Sequence, residues 1–381
     1  MLVMVLTYDP AMGEMLAEAV RHVRHDAEVR VVDRERDAIE CWLNERPQAL
    51  VVDSLGNLSD GVSVIRAMRQ TAPDAPLVIL TRDAKRSTLE TARRFRASAM
   101  IVKPISLQGL VSRLKQALET VIQAQRPDFA DPVPEDWFQG VIAQNRLSMP
   151  VSASVKATLL QSDHSTDSLQ SLHAAWKTEP AIVARLLGAS NTSAYNENMV
   201  PCESLGAALQ QLGVSRSVTI VDSLVLHCGS VLQDPYLVKK SEQLMAFSQR
   251  VGQKAVSLAA RAGLDPAACF DAGLLSTMGE LAALEVMQCW LDNGHNLEQE
   301  QVDSLVAHYA IPMSHQLKRA WRIPMSIRDR AGSVHQLPEQ STVSRDRMVM
   351  RLAGLMVTGD DPALVQRLQD LLGLDSKASA R

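Results

Sequence analysis

Residues 49–56 read Ala-Leu-Val-Val-Asp-Ser-Leu-Gly. A short apolar run closes on one carboxylate, Asp53, and small residues follow. An aspartate in that place is either a turn former or a reacting group. The segments on either side decide which. Upstream, Leu2–Leu6 is a short apolar run, and Ala11–Arg24 carries apolar residues at helical spacing (Met12, Met15, Leu16, Ala19, Val23). The spacing then predicts a strand at Glu28–Val32 and a helix at Ala38–Asn44. Downstream it predicts a helix at Gly61–Gln70, a strand at Leu77–Leu80, a helix at Lys85–Phe95, a strand at Met100–Val102 and a helix at Leu107–Ala124. Five strands alternating with five helices over residues 1–124 describe βα units around a parallel sheet. In such a sheet, sites form outside the carboxyl ends of the strands, and Asp53 ends the third.

Three residues join it there. Thr81 ends the fourth strand (LVILT), Lys103 with Pro104 ends the fifth (MIVKP), and Asp9 follows the first. An ammonium balances charge developing on a carboxylate, and a hydroxyl donates to a phosphoryl oxygen. With Asp60-Gly61 in the loop after the third strand, these residues resemble the signature of a response-regulator receiver domain. The resemblance implies a flavodoxin-like α/β fold with a five-stranded parallel sheet of order 2-1-3-4-5. It implies that Asp53 is the phosphoacceptor, that Thr81 and Lys103 register the phosphoryl group, and that the fourth helix, fifth strand and fifth helix form the face that changes partners.

The pattern departs from that family at several places. Two adjacent acids that hold Mg²⁺ are replaced by Thr7 and Tyr8, and Asp9 lies one residue beyond them. Asn57 stands for a proline, Met100 for an aromatic switch residue, and Arg96 for a glycine at a left-handed backbone position. Losing both acids removes most of the anionic oxygen ligands a hard cation needs. Two readings stay open: weak phosphorylation of Asp53 with Mg²⁺ held weakly at Asp9 and Asp53, or a pseudo-receiver driven by protein contact. A basic run (Arg82, Lys85, Arg86, Arg93, Arg94, Arg96) is either a solvated face or a partner-binding one.

Residues 125–135, QRPDFADPVPE, carry three prolines and read as a linker. From 136 to 374 long stretches of 3.6 period recur, such as Leu237–Ala262, Ala267–Leu291, Leu297–Tyr309 and Ser314–Ala320, and an all-α domain is expected. Residues 375–381 read as a frayed tail. Met149-Pro150, Glu179-Pro180, Leu186-Leu187, Asn191, Tyr195 and Leu212-Gly213 stand in this domain, together with the stretch Asp271–Glu285, DAGLLSTMGELAALE. By these residues the second domain resembles the HDOD family, a degenerate relative of HD-type metal phosphohydrolases. Alignment with the parent class places its His-Asp pair at Ser276-Thr277 and its late Asp at Gly354. The preceding long helix has no histidine, since none occurs between His227 and His295. No metal ligand is expected there, and the resemblance implies a docking or scaffold module without catalysis. Asn191 is expected to bond backbone at a helix corner with Tyr195 packed nearby, and His164, His173, His308 and His315 to be structural.

Composition limits the functional classes. Of 381 residues, 46% are hydrophobic and 22% charged, with net charge −4, so bulk charge offers nothing to nucleic acid. Aromatics at 4% leave few stacking platforms for single strands. The first residues, MLVMVLTYDP, lack a basic n-region, and no membrane span is expected. Five scattered cysteines without a Cys-x-x-Cys suggest free thiols in a cytoplasmic setting. The expectation is a bacterial signalling protein whose receiver-like input regulates a non-catalytic HDOD output. Its expected partners are other signalling proteins, a histidine kinase or cyclic-dinucleotide enzymes among them, with a homodimer possible. The alternatives are an HD-class phosphohydrolase or phosphodiesterase, and a constitutive scaffold with an inactive receiver.

Overall fold

The computed structural model describes residues 1–54, 61–82, 85–119, 133–161, 168–197, 200–338 and 343–374. Asn57, Asp60, His164, residues 120–132 of the expected fifth helix and linker, and the tail 375–381 lie outside the described residues. Packing divides the chain into two units. The first holds Met1–Asp131, Ser154–Thr166 and Val218–His227, and the second Pro132–Ala153, Asp167–Ser217 and Cys228–Arg381.

In the first unit the order is β1 (Leu2–Leu6), α1 (Pro10–Val23), β2 (Glu28–Val32), α2 (Glu35–Glu45), β3 (Ala49–Asp53), α3 (Val62–Thr71), β4 (Leu77–Thr81), α4 (Arg86–Arg94), β5 (Ala99–Val102) and α5 (Leu107–Leu118). The strands pair in parallel in the order β2-β1-β3-β4-β5. Val-, Ile- and Leu-rich runs make this sheet because its central strands lack a solvent face. Every residue of β3 and β4 is buried. Met4, Leu6, Leu50, Val52, Leu77 and Ile79 pack on Trp42, Ile65 and Met68 from α2 and α3. By strand alternation Val3, Val5, Val51 and Val78 fill the opposite face, and all four are fully buried. The edge strands are less covered: β2 is largely exposed along its length, and of β5 Ile101 alone is buried.

The helical elements are α6 (Pro134–Ala143), α7 (Ala153–Gln161), α8 (Leu169–Trp176), α9 (Pro180–Ser190), α10 (Leu205–Leu226), α11 (Pro235–Ala262), α12 (Pro266–Leu274), α13 (Met278–Asp292), α14 (Gln299–Ala320), α15 (Met325–Ser333), α16 (Arg345–Thr358) and α17 (Pro362–Leu372). Of these, α7 and the end of α10 pack within the first unit, where Leu226 O lies 3.2 Å from His22 Nδ1. Gly213 interrupts α10 at φ 74°, a left-handed value that glycine adopts without a Cβ clash. The expected helix Ala267–Leu291 is instead broken by a 3-10 turn at Leu275–Thr277. The expected segments Leu297–Tyr309 and Ser314–Ala320 run on as one helix, α14, with Pro312 inside it. The stretch Pro266–Asp292 is long and apolar enough to cross a membrane by length and composition, but 83% of its apolar window is buried in the helical core.

One expectation about the cysteines is corrected. Cys228 and Cys289 form a disulfide, their Cα atoms 5.4 Å apart, and only Cys41, Cys202 and Cys269 are free thiols. Their separation of 61 residues hid the pair. The approach is made by the backbone at Gly229, whose added Cβ would fall 2.4 Å from Glu285 O and 3.1 Å from Cys289 N.

Candidate functional site

Sheet register brings the N-terminal residues together. Leu6 pairs with Val52 and Asp53 with Leu80, so Thr7 emerges beside Asp53 at the carboxyl edge of the sheet. Thr81 pairs with Val102, and Lys103 follows on the same edge, its N–H donating to Thr81 O at 2.8 Å. The Lys103-Pro104 peptide is cis. The Asp53 side chain is 1% exposed and that of Lys103 14%, with Lys103 Nζ 2.5 Å from Asp53 Oδ1. The contact is an ion pair without the alignment of a regular hydrogen bond. Thr7 Oγ1 donates to Asp53 Oδ2 at 3.0 Å. Thr81 is fully buried at its strand end.

Thr7 therefore does more than vacate an acid position. Its hydroxyl occupies one oxygen of the expected phosphoacceptor while the lysine holds the other. The same hydroxyl accepts a bond from Asp9 N at 3.3 Å. Asp9 itself is turned to another task. It is the N-cap of α1, and its Oδ1 accepts from Ala11 N at 3.0 Å and Met12 N at 3.5 Å. Pro10 at the first helical position completes that start. Tyr8 is 40% exposed and offers no carboxylate.

A hard divalent ion needs several anionic or carbonyl oxygens. Among the described residues Asp53 brings one carboxylate with both oxygens in contact, Thr7 a neutral hydroxyl, and Asp9 a carboxylate whose Oδ1 caps α1. That set is short of the anionic oxygens Mg²⁺ takes. No group of three or more His, Cys, Asp or Glu able to hold a metal occurs among the described residues.

Two of the other departures are visible in the backbone and packing. Arg96 takes φ 53°, the left-handed conformation in which a glycine was expected. Met100 packs half-buried against the sheet core. On the basic run, Arg86 pairs with Glu90 at 2.8 Å, and Arg96 with Asp74 at 3.9 Å.

In the helical unit, Ser276 and Thr277 fall on the 3-10 turn between α12 and α13. Both are buried, and neither side-chain oxygen has a hydrogen-bond partner. The turn is held from its backbone: His335 Nε2 lies 2.9 Å from Ser276 O, and the His335 ring stacks on Phe247 of α11 with centroids 6.4 Å apart. Gly354 on α16 faces Val334, the residue before that histidine. A Cβ added at Gly354 would sit 2.5 Å from Val334 O. Arg351 one turn earlier donates to Val334 O at 2.9 Å, fixing that carbonyl in place. The three positions aligned with HD ligands thus carry two unpartnered hydroxyls and a glycine closed off by backbone.

Sequence reasoning missed His335, Phe247 and Val334, which no spacing rule links to Ser276. It also missed Asp271, although that residue opens the stretch DAGLLSTMGELAALE. Asp271 is buried on α12 and accepts from Leu205 N at 2.6 Å, capping α10 from a separate helix. Burial pushes its carboxyl up to about 7. An acid in an otherwise apolar helix was the available signal. Asp222, on the part of α10 within the first unit, is likewise buried, and desolvation pushes it up to about 8. Asn191 does what was expected: its amide donates to Leu187 O (2.7 Å) and Cys202 O (2.9 Å), and its Oδ1 accepts from Cys202 N (2.9 Å). The Tyr195 ring lies under Arg216, 5.4 Å away. His173, His308 and His315 are exposed.

A parallel 2-1-3-4-5 sheet with a buried aspartate, a threonine and a lysine–proline step along one edge is the architecture of a receiver domain. The family model for the response regulator receiver domain matches residues 3–115, and that for the HDOD domain matches residues 149–337. The chain accordingly combines a response-regulator receiver domain with an HDOD domain. It is similar to the response regulator MprA of Mycobacterium sp. (strain KMS), at 32% identity over 94 residues, 24% of this chain and 40% of that protein. MprA of Mycobacterium leprae (strain TN) is 32% identical over 96 residues, 25% of this chain and 40% of that protein. The match thus spans less than half the length of these curated relatives.

Among solved structures, the MmoQ response regulator from Methylococcus capsulatus str. Bath covers 60% of this chain and 95% of its own, at 18% identity and TM-score 0.46. An HDOD domain protein from Geobacter sulfurreducens covers 61% of this chain and 74% of its own, at 17% identity and TM-score 0.26.

Proposed function

We infer that this chain is a signal-transduction protein in which a receiver-like input regulates a non-catalytic HDOD docking module, and that the input works by protein contact rather than by Mg²⁺-dependent phosphoryl transfer. The observation that carries this reading is the engagement of both Asp53 oxygens, one by Lys103 and one by Thr7, with Asp9 committed to capping α1. Phosphoryl transfer to a carboxylate needs a free oxygen nucleophile and a cation to gather the transferring charge. Here Thr7 occupies a lone pair of Oδ2, and among the described residues its neutral hydroxyl stands where an acid would help hold such a cation beside Asp53.

The non-catalytic half of the reading is supported by the closed environment of Ser276, Thr277 and Gly354. Metal-assisted hydrolysis needs His, Asp or Glu at such positions to hold an ion that activates water. The partners in this reading are other signalling proteins, and the exposed arginines Arg82, Arg86, Arg93, Arg94 and Arg96 suit an acidic one. The test is metal content of the purified full chain, followed by hydrolysis of bis(p-nitrophenyl) phosphate with added Mn²⁺. The reading expects no stoichiometric metal and no turnover. Bound metal with turnover that falls when Ser276 and Thr277 are replaced by Ala would contradict it.

A further inference from the structure

Outside the two sites described, the second unit holds a groove between α11 and α16, about 400 Å³ in volume, within the roughly 300–1,000 Å³ range of small-ligand sites. Its lining is Arg250, Gln253, Lys254 and Ser257 from α11, and Met356 and Val357 from α16. Arg250 and Lys254 are one helical turn apart and so share a face, where like charges repel. A carboxylate opposite them would relieve that repulsion, yet none of the lining residues is acidic. Among the described residues neither cation enters an ion pair or side-chain hydrogen bond, and the Gln253 amide is unengaged as well. Ser257 Oγ donates to Lys254 O at 2.8 Å, which leaves its oxygen lone pairs toward other donors.

The opposite wall is apolar. Met356 is 37% exposed, a large soft side chain left in contact with solvent beside two charges. Two cations unpaired among the described residues, an amide and an apolar wall in a chain of net charge −4 call for a ligand carrying concentrated negative charge at one end and a ring or apolar body at the other. The geometry points to this groove as a binding site for an organic phosphate of nucleoside-monophosphate size. Arg250 and Lys254 hold the phosphate, Gln253 donates to an adjoining oxygen, and Met356 and Val357 carry the base. The site is independent of Asp53 and of the vacated HD positions.

Isothermal titration of the full chain with AMP, adenosine and pyrophosphate tests the assignment. AMP is expected to bind saturably at one site, with adenosine failing and pyrophosphate weaker than AMP. Arg250→Gln and Lys254→Gln are each expected to weaken AMP roughly tenfold, the loss of one charge-assisted contact. Both residues reach solvent, so neither change disturbs the core. Lys239→Gln, on the same helix outside the groove, is expected to bind as the parent does. Absence of saturable AMP binding overturns the proposal, as does AMP binding that survives the double variant. Pyrophosphate binding as tight as AMP overturns the organic part of the ligand class.

Discussion

Replacing Asp53 by alanine tests directly how the aspartate is held. The side chain is 1% exposed, pairs with Lys103 Nζ at 2.5 Å and accepts from Thr7 Oγ1 at 3.0 Å. Removing the carboxylate leaves a largely buried ammonium without its counter-charge, a change that costs about 3–5 kcal/mol. A total stability of roughly 5–15 kcal/mol makes that a large loss. The Thr7 hydroxyl also loses its acceptor, but the two effects share one site and do not add. Asp53→Asn keeps an acceptor for Thr7 and loses the charge, so it is expected to cost less. Asp53→Asn combined with Lys103→Met removes both charges and is expected to recover most of the deficit. Amide hydrogen exchange read on peptides covering β1, β3 and β4 is the assay, since it reports local opening in a chain with two packing units. A loss of 3–5 kcal/mol corresponds to exchange faster by about two to four orders of magnitude. Parent-like protection in Asp53→Ala would refute the claim that Asp53 is a buried ion-pair partner, and with it the account of the site.

Other outcomes follow from the same structure. Thr7→Asp places a second carboxylate beside Asp53 and frees Oδ2, so Mn²⁺ binding, followed by titration calorimetry, is expected to rise at least tenfold over the parent. Gly354→Ala would ordinarily stabilise a helix by about 1 kcal/mol, but a Cβ 2.5 Å from Val334 O reverses the sign, and urea unfolding is expected to show a loss of about 1–3 kcal/mol. Asp271 sets a pH dependence. Its carboxyl lies near 7 when folded against 3.8 as the reference, so the folded state binds more protons between those values, and the contribution of Asp271 to stability falls as pH rises from about 4 to 7. Asp271→Asn is neutral throughout and keeps an acceptor for Leu205 N. It is expected to flatten that slope and to exceed the parent above pH 7, by up to about 4 kcal/mol in urea unfolding.

Much of the fold was legible because strand ends and helix periods are local. Asp53, Thr81 and Lys103 each close an apolar run, and parallel order alone brings them to one edge of the sheet. The capping role of Asp9 was missed, although Asp followed by Pro is a helix-start signal, because the residue was read as a metal ligand. The bond from Thr7 to Asp53 was not legible, because it depends on the direction of one hydroxyl across two strands 46 residues apart in sequence. The Cys228–Cys289 bridge and the contact of His335 with Ser276, 59 residues apart, were hidden for the same reason: both are made by tertiary packing of helices. The fusion of α14 across Pro312 shows packing overriding a local breaker signal.

The most direct test of the central claim is intact mass of the purified full chain after incubation with acetyl phosphate and Mg²⁺, beside Asp53→Ala. With both Asp53 oxygens in contact and, among the described residues, too few anionic oxygens for the metal, the parent and the variant are expected to keep their unmodified masses. A single added phosphoryl group on the parent that is absent from Asp53→Ala would contradict the account and make Asp53 a working phosphoacceptor.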